Sequence, residues 1–195
     1  MARWPAALVI ALAATLVAVG AGVVLRDPET PPPEPLATPL SSVDTTVVTV
    51  PRAPFCELVP AAEVAAAVGA GVTATSWDNG DPLPDSGDIA HEYGCSWAGE
   101  SDTAQAWVFA PPVTTDRAGN LVASATAADG CAPVAGAAPF GSPTVALQCG
   151  DTLSYRGLFG DAWLVCTLTT TDPDLAGRWC VGVLAAASTV APSAE

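Results

Sequence analysis

Residues 153–169, with the sequence LSYRGLFGDAWLVCTLT, decide the fold class of this chain because they predict a β-hairpin. Two runs rich in leucine, aromatic and β-branched residues, Leu153–Phe159 and Ala162–Thr169, flank the pair Gly160-Asp161, a composition typical of a tight turn. Strands that follow each other this closely must pair antiparallel. The C-terminal half of the chain is therefore expected to contain an antiparallel sheet.

A helix is predicted directly after this hairpin. Asp172 is a good N-cap residue, and Pro173 suits the first helical position. Leu175, Trp179 and Val183 recur at helical spacing and form the stripe expected to face the sheet.

The rest of the chain repeats this mixture of elements. Two more helices and four more strands are expected, the helices over residues 60–68 and from Thr114 or Thr115 to about Ala128, the strands over 72–77, around Tyr93–Trp97, over 104–110 and through Val145–Cys149. The order is helix, three strands, helix, three strands, helix. We predict an α+β domain, an antiparallel sheet with three helices on one side, behind an N-terminal transmembrane or signal helix.

The six cysteines all lie beyond residue 55 and predict three disulfides formed outside the cytoplasm. The sequence alone does not fix their pairing, but the predicted strand and helix faces favour Cys56–Cys95, Cys131–Cys149 and Cys166–Cys180. Structural zinc is disfavoured, because no C-x-x-C pair occurs and the cysteines are widely spread.

The N-terminal segment 1–26 predicts a membrane anchor. Residues 5–25 are uncharged, and about 20 apolar residues suffice to cross a bilayer. Arg3 before the run places the N-terminus in the cytoplasm and the domain outside the cell membrane, in a single-pass topology. Cleavage as a signal peptide, with Ala18-Val19-Gly20 as a candidate site, is the alternative and makes the protein secreted.

Composition divides the remainder of the chain into three parts. Residues 27–54 carry eight prolines and predict a semi-rigid linker, with an edge strand near Val47, Val48 and Val50. Residues 55–188 form the extracytoplasmic domain, and 189–195 a flexible tail. The linker is expected to lift the domain away from the bilayer.

The charge balance excludes one class of partner. Twenty acidic residues stand against six basic ones, all arginine, for a net charge of −14. Such a surface repels phosphate backbones, so nucleic-acid binding is not expected.

Motifs for catalysis are absent from the sequence. His91 is the single histidine, and no G-x-S-x-G, G-x-G-x-x-G or P-loop occurs. We therefore predict no catalytic residue, no metal and no cofactor. A weaker calcium candidate consists of the loop acids Asp78, Asp81, Asp85 and Asp88, whose spacing departs from the EF-hand pattern.

The tryptophans are the other candidate for a site. Five of them lie in the domain, at positions 77, 97, 107, 163 and 179. Most tryptophans at such strand and helix positions belong to the core, and a tryptophan-lined ligand pocket is the alternative.

Residues 55–69, FCELVPAAEVAAAVG, and the motif Cys95-Ser96-Trp97 resemble the DUF3558 family of exported, usually lipid-anchored actinobacterial envelope proteins. The resemblance covers about 55–110, with a looser match over 162–183, and implies an envelope α+β domain without an established reaction. The family's first cysteine and its Cys-x-Trp cysteine correspond to Cys56 and Cys95, which supports that pairing. The chain departs from the family in having no lipid-bearing cysteine and in reading Val59-Pro60 where the family has Thr-Pro.

The sequence thus favours a non-catalytic, membrane-anchored envelope domain that binds an unknown ligand or protein partner. Two alternatives stay open. One is an extracytoplasmic hydrolase with two facing carboxylates, one of raised pKa. The other is an accessory subunit of an envelope complex, in which the anchor helix matters as much as the domain.

Overall fold

The structure, a computed structural model, describes residues 38–83 and 86–189. The predicted anchor over 1–26, the first part of the linker and all but one residue of the tail lie outside these residues. Within them, no helix combines the length and the apolar composition that crossing a membrane requires.

The described chain forms one antiparallel sheet of seven strands with three α-helices, as the α+β prediction requires. The helices are α1 Ala61–Val68, α2 Thr115–Thr126 and α3 Pro173–Ser188. The strands are β1 Thr73–Trp77, β2 Glu92–Ala98, β3 Thr103–Phe109, β4 Cys131–Pro133, β5 Thr144–Cys149, β6 Thr152–Phe159 and β7 Ala162–Thr169, in the spatial order β1-β2-β3-β7-β6-β5-β4. Strand β4 was not predicted, because three residues containing a proline give no periodic signal.

The predicted helix caps are confirmed. Asp172 accepts hydrogen bonds from the backbone N–H groups of Asp174, at 2.9 Å, and Leu175, at 3.4 Å. The Thr114 hydroxyl accepts one from Arg117 N–H at 3.3 Å. These bonds satisfy donors that the first turn of a helix leaves unpaired.

Helices lie on both faces of the sheet, which corrects the prediction that all three share one side. α1 and α3 pack against one face, over β6, β7 and β3, and α2 packs against the other, over β4, β5 and β6. Alternate residues of β7 contact the two different helix layers. Leu164 and Leu168 belong to the larger core under α1 and α3, whereas Trp163 and Val165 belong to the smaller core under α2.

The larger core is organised around tryptophan. Trp97 and Trp179 meet edge to face, with ring centroids 5.2 Å apart, and both are buried. The indole N–H of Trp179 donates to the carbonyl of Thr167 at 3.0 Å, so its polar atom is satisfied inside the core.

Three disulfides join the six cysteines in the favoured pairs. Cys56–Cys95 ties the 3-10 turn Cys56–Leu58, which precedes α1, to β2. Cys131–Cys149 joins directly opposed residues of β4 and β5. Cys166–Cys180 ties β7 to α3, with 5.8 Å between the two Cα atoms.

The segment 38–54 packs on the domain and is not the extended linker that its prolines predicted. Leu40 and Val50 are buried in the larger core. Arg52 reaches across to an ion pair with Asp161 at 3.2 Å and donates to the carbonyl of Ala110 at 2.6 Å. Burial of apolar side chains and these polar contacts hold residues that proline alone would leave extended.

The predicted edge strand near Val47 is also wrong. Residues Thr45–Val47 form a 3-10 turn, started by the Asp44 carboxylate, which accepts from Thr46 N–H at 3.0 Å. The Thr45 hydroxyl accepts a hydrogen bond from the buried N–H of Gly141 at 3.1 Å. This bond attaches the turn to the domain, in place of the strand pairing that was predicted.

Removing the Cys56–Cys95 disulfide by double substitution to alanine is expected to lower the free energy of unfolding by about 4 kcal/mol, and removing Cys166–Cys180 by about 3 kcal/mol. Cys56–Cys95 joins residues 39 positions apart in the sequence, and Cys166–Cys180 joins residues 14 positions apart. The first disulfide closes the longer loop and therefore restricts the unfolded chain more. Denaturant unfolding of the two variants under oxidising conditions measures both values. A larger loss for the shorter bridge would contradict the chain-entropy reasoning.

Gly157→Ala is expected to lower the free energy of unfolding by about 1–3 kcal/mol. A Cβ at this buried position of β6 would overlap the backbone carbonyl of Phe140, which cannot move aside as a side chain can. The matched control is Gly119→Ala on the exposed side of α2, where a Cβ meets nothing within 4 Å. Gly119→Ala is expected to raise the free energy of unfolding by about 0.5–1 kcal/mol, because alanine has the higher helix propensity. Equal effects of the two substitutions on the free energy of unfolding would contradict the packing assignment.

Candidate functional site

A concave groove lies on the α2 face of the sheet, over the strands that α2 does not cover. α2 packs against β4, β5 and β6, and the smaller core beneath it reaches Trp107 and Phe109 of β3. In the described part of the chain, no helix packs extensively on this face of β1 and β2. Strand register decides which side chains meet there, because directly opposed residues share a face.

The middle row of the groove is aromatic. Trp77 of β1 is paired with Gly94 of β2, and Gly94 is paired with Trp107 of β3. Gly94 provides the space for an indole, since a Cβ at this position would overlap the ring of Trp77. Trp77 therefore lies across Gly94 and is 9% exposed, while Trp107 stays half-buried.

Polar side chains border the aromatic row, a complete row of them on one side and Glu92, the register partner of Phe109, on the other. Thr75, Ser96 and Gln105 are register partners on one side, two residues along each strand. Glu92 lies on the other side, also two residues from Gly94. About 13 Å of strand β2 separates Glu92 from Ser96, so an aromatic surface is bordered by hydrogen-bonding groups at both ends.

Most of these polar groups have free hydrogen-bonding capacity. The side chains of Thr75, Ser96 and Gln105 have no hydrogen-bond partner among the residues that the structure describes. Glu92 accepts one bond, at 3.2 Å, from the backbone N–H of His91. The indole nitrogen of Trp77 is buried without an acceptor in the same part of the chain.

Leu83 and Ser86, from the loop between β1 and β2, close one wall of the groove. The enclosed space is about 280 Å³, at the lower end of the range for small-molecule sites. Glu92 is the one charged residue among the described residues that line it. The groove therefore suits a neutral or cationic ligand and disfavours an anion.

Other hollows exist on the domain. One of about 400 Å³ lies beside the turn at Cys56–Leu58 and reaches Ser76 and Asp78. A smaller one of about 180 Å³ adjoins Tyr155, whose hydroxyl donates to the carbonyl of Pro173 at 3.1 Å. Neither combines an exposed aromatic face with unpaired polar groups, which is why the groove is the stronger candidate.

The structure divides the five candidate tryptophans. Trp97, Trp163 and Trp179 belong to the two cores, as expected for most tryptophans. Trp77 and Trp107 line the groove, as the pocket hypothesis requires for some of them. Sequence reasoning missed Gly94, Ser96 and Gln105. The succession of three predicted strands was the available signal, but it supplied no register between them.

The loop acids of the calcium hypothesis are not brought together in the described part of the chain. Asp81 accepts from Asp78 N–H at 2.9 Å, which is turn chemistry, and Asp85 lies outside the described residues. In residues 38–83 and 86–189, no three His, Cys, Asp or Glu side chains form a group that could hold a metal ion. His91 is exposed at the end of this loop, directly before β2.

Glu63 on α1 is a partly buried carboxylate away from the groove. Its Oε2 atom is buried without a hydrogen-bond partner in the described chain, and a Cβ at Gly182 of α3 would overlap it. Burial raises the pKa of the Glu63 carboxyl, and no neighbouring charge contributes to the shift. The arrangement thus differs from the pair of facing carboxylates that the hydrolase hypothesis requires.

No protein-family model, curated protein or solved structure matches this chain at a significant level. The site must therefore be interpreted from its own geometry.

Glu63→Gln is expected to raise the free energy of unfolding at pH 7. Because the folded state raises the pKa of this carboxyl, protonated Glu63 favours folding. The stability it contributes is fully present below the pKa of the unfolded chain, and it is lost as the pH rises through the raised pKa of the folded state. Glutamine removes the buried charge and keeps the shape, so the gain should vanish below about pH 4.

Urea unfolding of both proteins across this pH range tests the assignment. Glu57→Gln, on the turn before α1, is a control because Glu57 is exposed. A stability difference between wild type and Glu63→Gln that does not change with pH would contradict the buried-charge explanation.

Proposed function

We propose that this protein is a non-catalytic binding domain of the cell envelope, held outside the membrane by its N-terminal segment, with the tryptophan groove as its ligand site. One observation carries the proposal. A half-buried tryptophan, Trp107, lies beside a row of polar side chains, Thr75, Ser96 and Gln105, that have no hydrogen-bond partner within the described domain. Unpaired polar groups around an aromatic surface are what a ligand site offers before its ligand arrives.

The three disulfides support a location outside the cytoplasm. All six cysteines are paired, and such bonds persist in oxidising surroundings outside the cytoplasm. The apolar run at 5–25 and the resemblance of residues 55–69 and of the Cys95-Ser96-Trp97 motif to the DUF3558 family favour the same place, at the cell envelope of an actinobacterium.

The chemistry of the groove favours binding over catalysis. Acid–base hydrolysis of a glycoside uses two carboxyl groups flanking the bond, whereas the groove contains the single carboxylate Glu92 among its described residues. All cysteines are committed to disulfides and cannot act as nucleophiles. Exposed His91 has no hydroxyl or thiol nucleophile hydrogen-bonded to it in the described chain.

Trp107→Ala is expected to weaken ligand binding about tenfold or more, because an aromatic anchor at the centre of a site dominates its energetics. The full-length chain is tested by calorimetry against four probe classes: uncharged oligosaccharides, oligouronides, choline and short neutral peptides. At least one class should bind the wild type. The control is Leu58→Ala, which removes an exposed apolar side chain elsewhere on the domain and should leave the affinity unchanged.

Two results would contradict the proposal. The first is that no class binds the wild-type chain at millimolar concentration. The second is binding that Trp107→Ala and Leu58→Ala affect equally, since the ligand would then occupy another surface.

A further inference from the structure

We infer, on the basis of the proposed function, that the ligand of the groove is an uncharged saccharide. A sugar ring has an apolar face of C–H groups and a rim of hydroxyls. The groove has the complementary arrangement, with the aromatic row formed by Trp77, Gly94 and Trp107 between a polar row and an acid.

The distance between rows fits this geometry. Ser96 and Gln105 lie two residues along their strands from the aromatic row, a rise of about 7 Å, and Glu92 lies the same distance on the other side. A ring stacked on Trp107 therefore places its hydroxyl rim toward Gln105 and Ser96 in one direction, and toward Glu92, beside the apolar Phe109, in the other.

The donors and acceptors suit hydroxyl groups. The amide of Gln105 supplies both, the Ser96 hydroxyl supplies both, and Glu92 keeps acceptor capacity beyond the one bond from His91 N–H. A ligand with many hydroxyls, each a donor and an acceptor, can satisfy all three. A purely apolar ligand would instead bury these groups unpaired, which is unfavourable.

Charge separates neutral saccharides from acidic ones. No cationic side chain lines the groove in the described part of the chain, and the net charge of the sequence is −14. Glu92 would face the carboxylate of a uronic acid or a phosphate at close range, where like charges repel. Oligouronides and phosphorylated sugars should therefore be rejected.

A quaternary ammonium ligand is the other neutral-or-cationic candidate, and the exposure of the rings argues against it. Such cations are held in cages that present several aromatic faces. Trp77 is only 9% exposed across Gly94, so Trp107 alone presents an accessible face. One open ring bordered by a row of neutral polar groups and by a single carboxylate, Glu92, matches a stacked sugar better than a caged cation.

The test titrates the full-length chain with uncharged tetrasaccharides of glucose and of N-acetylglucosamine, with a tetragalacturonide and with choline. We expect at least one uncharged tetrasaccharide to bind, and the tetragalacturonide and choline to bind at least about tenfold more weakly. Gln105→Ala should weaken tetrasaccharide binding about two- to tenfold through the lost hydrogen bonds. Glu92→Gln should keep the uncharged ligand and admit the tetragalacturonide.

Each outcome decides the matter. Trp107-dependent binding of choline or of the tetragalacturonide, without binding of the tetrasaccharides, overturns the saccharide assignment and leaves the groove as a ligand site. If no probe binds, both the assignment and the proposed function fail. If a tetrasaccharide binds, but Gln105→Ala does not weaken its binding and Glu92→Gln does not admit the tetragalacturonide while thermal unfolding of both variants matches wild type, the saccharide does not occupy the groove.

Discussion

Burial of strand β7 on both of its faces is the constraint on which the rest of the structure depends. Six of its eight residues are buried, and it lies at the centre of the seven strands. A strand that is apolar on both faces needs a cover on each side. α1 and α3 supply one cover and α2 the other, so the chain cannot keep all helices on one side as a simple α+β layer would.

The size of α2 then determines where the sheet stays open. Its 12 residues span about 18 Å, even if the helix ran straight across the strands. Seven strands at about 4.8 Å spacing extend about 29 Å from first to last, so one helix of this length cannot cover the whole face. It covers β4, β5 and β6, and the core beneath it extends to Trp163 and Val165 of β7, so the part of the sheet that it leaves open becomes the floor of the groove.

Sequence patterns predicted those features that depend on local chemistry. The hairpin at Gly160-Asp161, the cap at Asp172 and the three disulfides follow from short-range rules and from which face of an element a cysteine shares with apolar neighbours. The patterns failed where tertiary packing decides. Residues 38–54 look like a linker by composition, yet burial of Leu40 and Val50 fixes them on the domain.

The site was predictable only in part, for a related reason. The five tryptophans of the domain indicate a large aromatic content, but the sequence does not say which of them lie in the core and which at the surface. That distribution depends on register, because a shift of one residue between β1 and β2 would send Trp77 to the opposite face. Gly94 carries no signal by itself and acquires its role only when Trp77 and Trp107 are placed on either side of it.

The disulfide Cys56–Cys95 holds strand β2 on the face of the sheet opposite the groove. Cys95 lies between Gly94 and Ser96, and its side chain points to the opposite face, into the larger core. The strand that carries the centre of the groove is therefore covalently fixed on its reverse side, and its neighbours β1 and β3 are hydrogen-bonded to it along its length. A ligand site built on such strands loses little conformational entropy when it binds, which is the property that the proposed function asks of a shallow surface with one open aromatic ring.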